Sequence, residues 1–404
     1  MALVTDLELP VLDYLAPDLN GERFHQVIAE VRARSWLATS PIGFIVLDRE
    51  AGSYFLRTKS ATFPGMRIAE MFEVPEGPLL EQMRRNILHV NGEAHGRLRG
   101  LVNPAFTPRA ADGWRPAMRE FLERLWAPLA DASRCEFVAD FAKPYPSLTI
   151  ATVMGAPLDD APKLHEWSNV IQGQFDPNML TNERAKLERA CAEFYEWASA
   201  LIERRRDDPG DDLISTLIAA EEAGDRLSDV ECMNLVLNVL VGGVDTTQSQ
   251  LAHGLRVFAT RPEQWDLLAS DSELVPHAVE ELLRYEPITP FTARLLHEEV
   301  EYRGVTFPAD TVVMVCSFAG NRDGVEGDPE AFDITAARGP AKPLTFGAGI
   351  HYCLGANLAR AELQEALRFL PQRMPGLELE GEPELGSIHG VYGLNSLPIR
   401  WNTA

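Results

Sequence analysis

Positive charge is scarce in this chain: 37 Lys and Arg stand against 60 Asp and Glu, for a formal net charge of -23 over 404 residues. A field of that sign repels phosphate backbones and anionic headgroups, so nucleic acid is not expected as a partner. Long apolar runs are also missing. The longest stretch free of Asp, Glu, Lys and Arg, residues 343–359, falls short of the roughly 20 residues a bilayer-spanning helix needs, and Pro343, Gly347, Gly349 and Gly355 interrupt it. The N-terminus carries no basic segment and meets Asp6 and Glu8 at once, which leads us to expect no signal peptide, no membrane anchor and a cytoplasmic protein. Five cysteines occur without a C-x-x-C pair, fitting reduced thiols, most of them buried as small hydrophobes. Repeats, low-complexity tracts and a Pro/Gly/Ser linker are all absent, so residues 1–404 read as one domain.

Hydrophobic residues at 46% and charged residues at 24% describe an ordinary globular chain with enough apolar surface for a large core. The pattern predicts a mainly α fold with a small β portion. Residues 36–57 read as a hairpin, with Ile42, Phe44, Val46 and Tyr54 in apolar runs broken by Asp48 and Gly52. Residues 60–92, with Pro64, Gly65, Pro75, Gly77 and Pro78, read as loop. Helical spacing dominates 94–286, clearest over 114–132, 143–154, 182–206 and 228–260. The last of these opens with Ser228-Asp229-Val230-Glu231, a capping box, and as one helix would extend about 50 Å. Strand-like runs follow at 292–297, 300–307 and 311–316, then coil over 320–350 and a final helix from near Gly355.

The densest chemistry lies in Phe346-Gly347-Ala348-Gly349-Ile350-His351-Tyr352-Cys353-Leu354-Gly355. Its glycines permit backbone turns closed to other residues and bring Cys353 to the start of the next helix, where unpaired amides favour a thiolate. No second thiol lies at zinc-motif spacing, so a single axial bond to a haem iron fits better than a closed tetrahedral site. Upstream, Gly242-Gly243-Val244-Asp245-Thr246-Thr247 sits inside the long helical run. Two adjacent glycines there cost about 2 kcal/mol relative to alanine, and Thr246 can bond back to the carbonyl four residues earlier, so a groove or kink is expected. Close helix packing is the commoner reason for such glycines, and both explanations can hold at once. Glu281-Leu282-Leu283-Arg284 places a carboxylate and a guanidinium on one helical face.

These segments together resemble the cytochrome P450 family, from His95 to the final strands. The resemblance implies the P450 fold, a long central helix over a haem, with haem b (iron protoporphyrin IX) as cofactor and Cys353 as the iron ligand. Phe346, Gly347, Gly349, His351 and Gly355 belong to the ligand loop. Glu281 and Arg284 match the family's buried E-x-x-R pair, which is structural. Asp245 and Thr246 match the acid and alcohol that organise protons during oxygen activation. His95 and Arg99, from H-x-x-x-R, with Arg294 and His351, match the partners of the haem propionates.

Asn238, Val241, Gly242, Asp245, Thr246 and Ser249 fall on one helical stripe, expected to face the haem. By position relative to the motifs, Asn238, Val241, Pro290 and Val391 are candidate substrate contacts, with 60–92 as a lid; bonding of Asn238 to its own helix or to a buried water is the alternative. The implied activity is oxygen insertion from O2 into an apolar organic substrate, by hydroxylation or a related oxidation. Electrons would come from NAD(P)H through a ferredoxin or flavodoxin and its reductase, docked on a basic patch of Arg97, Arg99, Arg109, Arg338, Lys342 and Arg360. A peroxide-driven or isomerase-like haem-thiolate enzyme and a non-catalytic haem protein are the rival readings.

Overall fold

The computed structural model describes residues 2–222 and 227–403. The chain is mainly helical with small sheets and divides into two compact units, the first built from residues 1–64, 276–353 and 385–392, the second from 65–275, 354–384 and 393–404.

In the first unit the main sheet has five strands in the order Leu37–Ser40, Gly43–Val46, Val312–Cys316, Phe291–Leu296 and Ala61–Thr62. Gly43–Val46 runs parallel to Val312–Cys316, with Phe44 opposite Val313; the other pairings are antiparallel. The central strand is apolar throughout because both its faces are covered. Val313 and Val315 pack with Phe55, Phe307 and Leu344, while Met314 and Cys316 pack with Phe24, Phe291, Phe318 and Tyr392. The expected hairpin ends at Val46. Asp48 then accepts a bond from the Ala51 amide (2.8 Å) and starts a helix, Arg49–Arg57, which carries Tyr54 out of the predicted strand. The expected single strand over 300–307 is two, Val300–Tyr302 and Val305–Phe307, turned at Arg303 (φ +49°) and Gly304 (φ +77°).

The second unit holds most of the helix. Residues 60–92 are less irregular than their prolines and glycines suggest: after the strand Ala61–Thr62, which belongs to the first unit, come helices Gly65–Met71 and Pro78–Arg85. Pro78 occupies the first turn, where its missing N–H costs nothing. Helices Arg115–Trp126, Pro144–Met154 and Arg184–Asp207 match the spacing; residues 223–226 of the helical region lie outside the described residues. Pro144–Met154 is buried on nearly every side and forms a core post.

The run 228–260 is not one helix. It divides into Asp229–Gly243 and Asp245–Ala259 at Val244 (φ −87°, ψ −68°), beside the glycine pair. The capping box at Ser228 and Glu231 is formed. A small antiparallel sheet places Pro398–Arg400 between Glu378–Leu379 and Arg134–Glu136.

Candidate active site

The expected site residues fall in both units: Pro290, Arg294, Phe346, Gly347, Gly349, His351, Cys353 and Val391 in the first, His95, Arg99, Asn238, Val241, Asp245, Thr246 and Gly355 in the second.

In the first unit the Cys loop is two short helical turns, Leu344–Phe346 and Gly349–His351. Gly347 (φ +70°) and Gly349 (φ +74°) occupy the left-handed region, and a Cβ on Gly349 would stand 2.8 Å from the Leu56 carbonyl oxygen, so both positions require glycine. The Cys353 amide donates to the Phe346 carbonyl (2.9 Å) and closes the loop, with the Phe346 and Tyr352 rings edge-on at 6.3 Å. Cys353 is partly exposed and lies just before the N-cap of the final helix, Ala356–Phe369, rather than within its first turn. The other four thiols, Cys135, Cys191, Cys232 and Cys316, are each pushed by burial to about 12. Those four are poor thiolates. Among the described residues no group of three or more His, Cys, Asp and Glu side chains is placed to hold a metal ion.

Below the loop, Glu281 and Arg284 are buried and joined at 2.7 Å. The guanidinium also donates to the Pro329 and Ala331 carbonyls (2.8 and 2.7 Å), and the carboxylate accepts from the Asp333 amide (3.0 Å) and from Arg338 (2.6 Å). Burial alone would raise the Glu281 pKa, but Arg284 and Arg338 outweigh it and hold the carboxyl below its ordinary value. Asn321, fully buried, completes the tie: its amide donates to the Leu283 and Arg284 carbonyls and to Thr345, and its oxygen accepts from the Leu344 amide (2.6 Å) at the start of the Cys loop. Sequence reasoning missed Asn321, because nothing in its own segment shows that its four partners lie elsewhere. Arg294 is 4% exposed, and its guanidinium makes one bond, to the Ala293 carbonyl (2.9 Å), with no carboxylate against it among the described residues. Burial pulls its pKa down to about 10. Pro290 is buried, and Val391 adjoins Tyr392, whose amide donates to the Ile288 carbonyl (2.7 Å), so these two candidate contacts stand on neighbouring segments.

In the second unit, His95 and Arg99 share a face of Gly92–Val102; burial and then the Arg99 charge lower the His95 pKa, a pairing that favours an anion beside them. The glycine pair serves two ends. A Cβ on Gly243 would lie 2.3 Å from Ile150 Cδ1, a packing contact, whereas a Cβ on Gly242 would meet nothing within 4 Å. The Thr246 hydroxyl donates to the Gly242 carbonyl (2.6 Å), as its spacing predicts.

The expected stripe divides. Asn238 and Thr246 are partly exposed and Gly242, between them at four-residue spacing, is exposed, while Val241, Asp245 and Ser249 are buried. The Asn238 amide donates to the Asn234 carbonyl, realising the own-helix alternative for its nitrogen. Asp245 accepts from the Ser168 hydroxyl (2.5 Å) on helix Ala161–Gln172 and does not bond Thr246. Burial raises the Asp245 pKa; Ser168, His165, Asn169 and Lys143 oppose the rise without cancelling it. On the next helix position but one, the Thr247 hydroxyl donates to Glu362 (3.1 Å), a fully buried acid that burial pushes to about 8. The place of Glu362 on the apolar face of the last helix, four residues after Leu358 and four before Ala366, is a signal the sequence does contain.

Two members of the expected basic patch are engaged inside their own units. Arg97 pairs with Glu231, and Arg338 pairs with the buried Glu281 and is itself mostly covered. Arg109 and Lys342 are exposed.

A family model described as Cytochrome P450 matches residues 69–373. The luteothin monooxygenase of Streptomyces thioluteus is 35% identical over 98% of this chain and 97% of its own, and the mycinamicin IV hydroxylase/epoxidase of Micromonospora griseorubida is 38% identical over 80% and 81%. The crystal structure of CalO2 superposes with a TM-score of 0.91 at 28% identity, covering 98% of this chain and all of the other. With a family model spanning most of its length and monooxygenases among its relatives, the chain belongs to the cytochrome P450 family and is an oxidoreductase of the monooxygenase class.

Proposed function

We propose that residues 1–404 act as one haem domain, binding haem b through the Cys353 thiolate and oxidising an apolar organic substrate by hydroxylation or a related oxygen insertion. The observation that carries this reading is Arg294, a buried guanidinium whose one hydrogen bond among the described residues runs to its neighbouring carbonyl. A propionate would supply the missing countercharge. The open space over Gly242 and the His95–Arg99 pair fit the same cofactor.

When bound, the haem would supply dioxygen activation, which a thiolate ligand from Cys353 would favour by donating electron density. The chain's own residues do the rest. Gly347 and Gly349 turn the backbone to present Cys353, Phe346 would cover the sulfur, and His95, Arg99, Arg294 and His351 would hold the propionates; Gly355 is the N-cap of the helix that follows the loop. Asp245 stores a proton on its carboxyl, and Thr246 carries it into the groove through its hydroxyl. Val241, Pro290 and Val391 offer apolar surface to substrate, and the Asn238 oxygen accepts from a substrate donor. Electrons from NAD(P)H arrive through a ferredoxin or flavodoxin and its reductase, the whole chain working in the cytoplasm.

The test is NAD(P)H-dependent oxygen consumption with a surrogate ferredoxin and reductase, using ligands first selected by the optical spin-state change of the haem. Oxygenated product confirms the reading; full reduction with no product from any spin-shifting ligand favours a non-catalytic haem protein.

A further inference from the structure

The acid expected to serve Thr246 points elsewhere in this structure. Asp245 Oδ2 accepts from the Ser168 hydroxyl at 2.5 Å, while Thr246 donates to the Gly242 carbonyl at 2.6 Å. Ser168 is fully buried, and its Oγ also lies 3.4 Å from the Leu240 carbonyl oxygen. That carbonyl already receives the Val244 amide (3.1 Å) at the helix break and has a second lone pair to offer. One hydroxyl therefore commands two acceptors on either side of the break.

We propose that Ser168 is a latch for Asp245: it parks the carboxyl against helix Ala161–Gln172 and, on release, turns to the Leu240 carbonyl. The inference rests on the reading of Asp245 as the relay acid. Two features make the release feasible. A buried donor left without an acceptor is costly, and Leu240 removes that cost. Asp245 is the first residue of the helix Asp245–Ala259, and its side chain takes no part in the backbone bonds that run through the break, from the Val244 amide to the Leu240 carbonyl and from the Gln248 amide to the Val244 carbonyl, so it can turn while these stay in place. The proton balance is simple: the protonated carboxyl gives its proton to Thr246 Oγ, Thr246 passes its own hydroxyl proton into the groove, and the carboxylate returns to Ser168 and is reprotonated from solvent. The groups that act on the parked carboxyl are Ser168, His165 and Asn169 from helix Ala161–Gln172, and Lys143; His165 is itself held by Gln248 (2.8 Å). The neighbouring buried acid, Glu362, bonds Thr247 instead. Ser168 acts through Asp245 and is a positioning residue.

Each of these partners favours the carboxylate, so removing one moves its titration upward. The experiment follows the carboxyl stretch of resting, haem-loaded protein by infrared difference spectroscopy across pH, assigned to Asp245 by its loss in Asp245→Asn. Ser168→Ala is expected to raise the titration midpoint by about one pH unit, with Ser168→Thr staying near wild type because it keeps the hydroxyl. His165→Gln is expected to move it in the same direction by less. Coupling of electrons to product is read beside it and falls in Ser168→Ala. A midpoint in Ser168→Ala equal to wild type overturns the latch while leaving the relay standing if Asp245→Asn uncouples turnover. Wild-type coupling in Asp245→Asn overturns the relay itself, and the latch's function with it.

Discussion

Glu362 carries a stability consequence that can be worked out in advance. It is 1% exposed, and burial pushes its carboxyl from 4.5 to about 8, against the opposing pull of the Thr247 and Thr149 hydroxyls. The folded chain therefore holds it neutral through pH 7, while the unfolded chain ionises it from about pH 4.5. For an acid shifted upward, the unfolded state binds fewer protons across that window, so stability is greatest below the unfolded value and falls as pH rises, levelling above about 8. Each unit is worth about 1.4 kcal/mol, so between pH 4.5 and 7 the loss is on the order of 3 kcal/mol. Glu362→Gln keeps an oxygen for Thr247 and removes the titration. Urea unfolding of both proteins at about pH 4.5, 7 and 8.5 should show the stability difference moving steadily in favour of the Glu362→Gln variant, by about that amount over the first interval, since every other titrating group is shared. Parallel pH dependence in the two proteins would refute the argument.

The glycine pair separates two roles. Gly243→Ala should lower the unfolding free energy by about 1–3 kcal/mol through its clash with Ile150, whereas Gly242→Ala, opening on empty space, should not; equal losses in urea unfolding would contradict this. Arg294→Leu removes the buried cation and should speed haem loss to an acceptor apoprotein by about tenfold or more, while an unchanged rate would separate Arg294 from the cofactor. Thr246→Ala should retain haem but divert electrons to peroxide, read as peroxide formed per NAD(P)H consumed; wild-type coupling would remove Thr246 from the proton path.

Local chemistry was legible wherever its cause was local. The left-handed Gly347 and Gly349, the Ser228–Glu231 capping box and the Thr246 back-bond depend on residues within a few positions, and spacing alone exposes them. Composition obscured the rest. Pro78 and Gly77 read as loop, yet one sits in the first turn of a helix and the other at its N-cap. The helix Arg49–Arg57 follows an apolar strand so closely that Tyr54 prolonged the apparent alternation. The interruption of the long helix was legible too, since the glycine pair predicts a kink there; that the helix divides into two, at Val244, was not. Partners far along the chain were hidden altogether: Asn321 binding Leu283 and Leu344, Ser168 binding Asp245, and Arg338 drawn inward to Glu281. Each depends on a tertiary contact that a single-sequence pattern does not encode.

The most direct measurement is the carbon monoxide difference spectrum of the reduced, haem-loaded protein, taken for wild type and Cys353→His at matched haem content. The account predicts the absorption band peculiar to thiolate-ligated haem in wild type and its replacement in Cys353→His by the band of histidine-ligated haem. A wild-type spectrum lacking the thiolate band, or one that Cys353→His leaves unaltered, would contradict it.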